Sequence, residues 1–155
     1  MEVTFDVLGD PVPQGSMRAF VVKGRAVLTS TSKNLKPWRA KVAEAAANAS
    51  DGQMFASKTC VSVTCIFRMR RPKSHCRADG SVKPSAPSQP CTRPDIDKLA
   101  RAILDGLTGV LFDDDSQVTT LKLLKTYAEP RRDSGVHIHV RQDSRKHPSE
   151  EGTLP

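Results

Sequence analysis

Residues 60–69 restrict the fold more than any other stretch. Val61, Val63, Cys65, Phe67 and Met69 recur at a strict period of two, with Ser62, Thr64 and Arg68 between them. Only an extended strand places five such side chains on one face. On that face Cys65 reads as a small core residue and not as a ligand. The next regular segment has a different period. Over 95–107, Ala102, Ile103 and Leu107 follow Leu99 at i+3, i+4 and i+8, which predicts a helix.

Further elements follow from the same patterns. Residues 2–8 alternate, with Val3, Phe5 and Val7 on one side. Ala19–Val22 and Arg25–Leu28 flank Lys23-Gly24 and predict a hairpin. Pro37 suits the first turn of a helix that buries Trp38, Val42, Ala45 and Ala46. Arg39, Lys41 and Glu44 face water or a partner. Residues 117–127 alternate imperfectly. After the turn Asp133-Ser-Gly135, the apolar Val136, Ile138 and Val140 interleave with His137, His139 and Arg141. The histidines there read as a polar face toward solvent or a nucleic acid. The expected order is β-β-β-α-β-α-β-β, an α+β fold with a mixed β-sheet and two main helices. At 155 residues the chain suits one domain, over 1–141. Residues 142–155 are polar and aperiodic and read as a disordered tail.

The charge is uneven. The net charge is +7, and seven Lys or Arg against the single Asp79 between residues 68 and 93 supply six of it. A basic run of this kind is either a solvated loop or a grip on a polyanion. The irregular stretch 70–94 holds five of the eleven prolines. Loops of this length are functional or disordered, and this one is expected to be mobile without its ligand. The N-terminus has neither the basic nor the apolar region of a signal peptide, and no apolar run suits a membrane helix. Four cysteines without close C-x-x-C spacing fit free thiols in a reducing cytoplasm; His75-Cys76 is the one cluster suggestive of zinc.

Directly after the basic run come Asp95 and Asp97, in Arg93-Pro-Asp-Ile-Asp-Lys-Leu-Ala-Arg101, and past the helix the acidic run Asp113-Asp-Asp115. Residues two apart on a regular helix point about 200° apart. The pair converges only if Asp95 sits before the first turn, which Pro94 favours by pushing Arg93 out of helical conformation. Mg²⁺ suits such a pair, since it binds through one or two carboxylates and keeps waters. Asp115 joins them if the chain folds back after the helix. The alternative is plain helix pairing, Asp95 with Lys98 and Asp97 with Arg101. An EF-hand fails, because Leu99, Ala100 and Gly106 fall where it needs an oxygen ligand, Gly and Glu.

The stretch Asp95-Ile-Asp-Lys-Leu-Ala-Arg-Ala-Ile-Leu-Asp-Gly-Leu107, followed by Asp114-Asp-Ser-Gln-Val118, resembles the RusA family of Holliday junction resolvases, whose pattern is D-x-D-N-x-x-K-x-x-x-D-x-L and then D-D-x-Q-V. Pro11-Val-Pro-Gln-Gly-Ser16 with Arg18 is similar to phage and prophage members. The resemblance implies a RusA-like fold and a homodimeric endonuclease that cuts four-way DNA junctions in a bacterial cytoplasm. It implies Asp95, Asp97 and Asp115 as ligands of Mg²⁺, with Mn²⁺ as a substitute, and Asp105 as support. Lys98 stands for the family's Asn, and Arg101 for its essential lysine. Arg101 keeps the charge and can hold a phosphate bidentately, but it does not readily give up a proton. It is therefore assigned to phosphate or transition-state stabilisation, with Lys98 sharing the role. Arg18, Arg70, Arg71, Lys73 and Arg93 are the expected DNA contacts. The competing readings are a nuclease for other branched or flap DNA and a basic nucleic-acid-binding protein without catalysis.

Overall fold

A computed structural model describes residues 1–15, 18–29, 33–130 and 132–146. The strands are β1 (Glu2–Leu8), β2 (Arg18–Val22), β3 (Arg25–Thr29), β4 (Val61–Met69), β5 (Val118–Tyr127) and β6 (Gly135–Gln142). The helices are α1 (Leu35–Ala49) and α2 (Ile96–Leu107), with short 3₁₀ turns at Lys73–His75 and Asp115–Gln117. The order is the expected one.

Four strands form a mixed sheet in the order β1-β6-β4-β5. β6 is antiparallel to both β1 and β4, while β4 and β5 are parallel. A parallel pair needs a crossover, and α2 supplies it. β2 and β3 form a separate hairpin. Its two-residue turn has positive φ at both Lys23 (49°) and Gly24 (76°), the geometry whose twist suits a tight hairpin.

Periodicity sets the core. Val61, Val63, Cys65 and Phe67 of β4 are fully buried, with Val136, Ile138 and Val140 of β6 beside them. Leu99, Ala102, Ile103 and Leu107 of α2, and Leu35, Trp38, Val42 and Ala46 of α1, complete the same cluster. Burial pushes the Cys65 thiol up to about 12, in keeping with an inert core residue. The two helices cross closely at Gly106. A Cβ there would stand 3.0 Å from Val42 Cγ1 and 3.3 Å from the Arg39 carbonyl oxygen. Gly109, just past the end of α2, takes the left-handed φ of +79° common after a helix.

The second face of the sheet departs from the sequence reading. Arg68 does not belong to the basic loop: it is 6% exposed, and its Nη1 donates to Asp6 Oδ1 at 3.0 Å. The β1–β6 register puts Asp6 opposite His137, whose Nδ1 lies 3.1 Å from Asp6 Oδ2. His139 meets Glu2 in the same way. These histidines are half-buried partners of β1 carboxylates and do not form a free polar face. Beyond β6, the Asp143 carboxylate accepts from Arg145 and from the hydroxyls of Thr119 and Thr120. Residues 147–155 lie outside the described residues.

Candidate active site

α2 begins where the acids require it to begin. Asp95 is the N-cap residue, with extended backbone at φ −70° and ψ 140°, so the 200° separation of a regular helix does not apply to it. Its side chain makes no capping hydrogen bond. The carboxylate is left exposed, 3.5 Å from Lys98 Nζ. Asp97 is exposed in the first turn. Of the two helix pairs considered as alternatives, Asp95–Lys98 forms. Among the described residues, Asp97 and Arg101 are in no ion pair.

The surroundings hold this end of α2 in place. Lys125 of β5 donates to the carbonyl oxygens of Thr92 at 2.7 Å and Pro94 at 2.9 Å. Gln14 N donates to the Lys98 carbonyl oxygen at 3.0 Å, which ties the Pro11–Gly15 loop to the first turn. Asp95 and Lys98 open into a depression of about 450 Å³ walled by Pro11, Pro13, Arg93 and Pro94. The helix N-terminus itself favours an anion there, a phosphate included. Lys125 was not among the residues singled out by sequence. Its place on an imperfectly alternating strand carried no signal of the two-carbonyl clamp.

The third acid lies elsewhere. The run 113–115 separates into three roles. Asp113 takes the Ser57 hydroxyl, and Asp114 caps the 3₁₀ turn by accepting from Ser116 N at 2.8 Å. That backbone hydrogen bond holds the Asp114 carboxyl below the usual range. Gln117 closes the reciprocal capping box. Asp115 is left exposed and in no ion pair among the described residues. However, this turn sits at the start of β4 and β5, where Gln117 Nε2 donates to the carbonyl oxygens of Ala56 and Thr59. Asp95 sits at their other end. The twelve residues of α2 run the length between, so Asp115 and Asp95 stand roughly 20 Å apart. The chain does not fold back to reunite them. Among the described residues no three His, Cys, Asp or Glu side chains are grouped to hold a metal ion. One chain alone therefore does not fit a three-carboxylate cation site.

Of the expected DNA contacts, Arg70, Arg71 and Lys73 follow the end of β4 and Arg93 precedes the start of α2, on the Asp95 side. Arg70 and Lys73 are exposed, as is Arg93. Arg70 Nε donates to Asp10 Oδ1 at 3.1 Å. Arg71 lies 4.2 Å over the Tyr127 ring and donates to the Pro87 carbonyl oxygen at 2.8 Å. The Arg18 side chain lies outside the described residues. Asp105 Oδ2 is 3.8 Å from Arg39 Nη1 of α1, a support between helices and no part of the acidic pair.

The family model described as "Endodeoxyribonuclease RusA" matches residues 9–141. The chain belongs to the RusA family. It is thus a metal-dependent endodeoxyribonuclease of the Holliday-junction-resolving kind, acting on branched DNA. The chain is also similar to the "Uncharacterized protein YqaN" of Bacillus subtilis (strain 168), 27% identical over 142 residues, which cover 92% of this chain and 97% of that protein. No helix among the described residues is long and apolar enough to cross a membrane.

Proposed function

We propose that this RusA-family nuclease works as a homodimer that resolves four-way junctions by paired, Mg²⁺-dependent hydrolysis, with Asp95 and Asp97 of one protomer and Asp115 of the other forming each site. The observation that carries this reading is the arrangement of the acids. Two exposed carboxylates, one of them unused as a cap, lie at one end of α2. A third, left over from a capped turn, lies at the far end. A two-fold axis that sets two α2–β5 units antiparallel exchanges those ends. Each site then gains the acid that its own chain holds away, and a junction meets two equivalent sites for its two opposed strands.

Within such a site the cation supplies Lewis acidity and a water of lowered pKa. The chain's own residues do the rest. Asp95 and Asp97, with the acid from the other protomer, would hold the cation, and the Lys98 ammonium beside Asp95 would then be available to a phosphate oxygen. Arg101, one helical turn beyond Asp97, offers a planar donor fork to the charge that grows on the phosphoryl oxygens. Arg70, Arg71, Lys73 and Arg93 hold flanking phosphates, together with Arg18. The middle of the 70–94 loop, between the cavity-lining residues at its two ends, is proposed to shift when it takes up DNA. The test is a synthetic four-way junction incubated with protein and Mg²⁺, with and without EDTA. Paired nicks that EDTA abolishes are expected. Binding without any nick under either condition would make this a DNA-binding protein without catalysis.

A further inference from the structure

Beside the depression that holds Asp95 lies a second cavity of about 330 Å³. The two share Pro11, Arg93 and Pro94 as a common wall. The second cavity is lined chiefly by apolar groups: Pro90, Pro94, Met69 and the Tyr127 ring, with Pro11 and Pro72. Its charged groups are cationic but for one: Arg70, Arg93 and Lys125 against Asp10, with Thr92 the neutral polar residue among them. Asp10 is already paired with Arg70 and accepts the Ser134 hydroxyl at 2.5 Å.

We propose that this cavity receives one unstacked nucleobase of the junction strand, a nucleotide or two from the scissile bond, while the cations hold the phosphates on either side of it. The inference rests on the nuclease reading above and extends it to what the site recognises. A bare phosphate calls for converging donors and has no use for proline walls. A ring system does use them, since any base presents an apolar face and stacks on aromatic or flat aliphatic surfaces. The volume suits a ring system. The walls are fixed in advance. Lys125 ties Thr92 and Pro94 to β5, and Arg71 ties Tyr127 to the Pro87 carbonyl oxygen. The substrate supplies the other half of the argument. At the exchange point of a junction a base loses part of its stack, so drawing it out costs least there. In continuous duplex the same step costs unpairing and unstacking in full. The cavity would therefore favour junctions over duplex, and its outline would set which bases are preferred near the cut.

The test uses four-way junctions carrying a single abasic residue at each position around the mapped cut. Binding is measured with the full-length Asp97→Asn protein, and cutting of the intact junction by the unaltered protein is run alongside. One position per cut strand is expected at which loss of the base weakens binding about tenfold, the contribution of a single stacked base. In Tyr127→Leu that abasic junction and the intact junction should bind alike. Uniform affinity across the scan overturns the proposal even if the variant fails to fold. Junction binding and cutting that persist alongside a flat scan overturn the base pocket and leave the nuclease reading standing. Absence of both binding and cutting overturns the two together.

Discussion

Asp114 and Asp115 are neighbours with different fates, and the difference is one hydrogen bond. Asp114 accepts from Ser116 N and is committed to its turn; Asp115 is not committed. The same holds at the other end of α2, where Asp95 occupies a capping position without capping. Exposed carboxylates of this kind, the surface Asp95–Lys98 pair included, contribute little to folding, so their removal should leave stability nearly unchanged. Asp97→Asn is expected to slow cutting on the order of a hundredfold or more, the usual cost of losing one preorganised charge at a reacting phosphate. Junction binding by this variant should hold or tighten, because a negative charge facing phosphates is gone. A gel-shift titration beside a cleavage time course reads both. Parallel loss of binding and thermal stability would make Asp97 structural.

β6 is gripped from both sides, by β1 and by β4. Gly135 sits where that grip is tightest. A Cβ there would lie 2.4 Å from the Val7 carbonyl oxygen and 3.0 Å from Arg68 Nη2. The first of these is backbone and cannot yield, so Gly135→Ala should cost ~1–3 kcal/mol in a denaturant titration. An unchanged midpoint would refute the packing described. Acid should loosen the same region. Burial works to raise the Asp6 carboxyl, but His137 and Arg68 outweigh it and leave it lowered. Asp10 is lowered as well, first by the Ser134 hydroxyl and then, against some burial, by Arg70. A lowered carboxyl adds stability above its unfolded pKa of about 3.9 and loses it as pH falls through the folded value. Thermal stability should therefore hold between pH 5 and 7 on their account and drop below about pH 4. Asp6→Asn should flatten that drop. An equally steep acid profile in Asp6→Asn would show that Asp6 does not contribute.

These elements also mark what sequence could reach. Period two located β1, β4 and β6, and the three-four spacing located α2 with its buried stripe, because each pattern depends only on the residue and its own neighbours. Pro94 ahead of Asp95 fixed the N-cap for the same reason. Arg68 was counted with the basic run, since its burial depends on Asp6, sixty-two positions away on β1. The pairing of His137 and His139 needed the β1–β6 register. Lys125 gave no sign, because a lysine on a strand looks the same whether or not it clamps two carbonyls. The two acidic motifs are close in sequence, and that closeness misled. A helix of twelve residues is a rigid rod, and it keeps its ends apart.

That separation governs the whole molecule. With Asp95 and Asp97 roughly 20 Å from Asp115 along one chain, the proposed site needs a second copy. Mixing two inactive variants tests this most directly. Asp97→Asn and Asp115→Asn are each purified, shown not to cut a four-way junction, then mixed in equal amounts under conditions that let subunits exchange. If the acids meet across a dimer, each mixed dimer carries one intact site and one doubly altered site. About a quarter of all sites should then be intact by random assortment, and they should leave single nicks where the unaltered protein leaves pairs. A mixture in which subunits have demonstrably exchanged but which stays as inactive as its components would contradict the shared site.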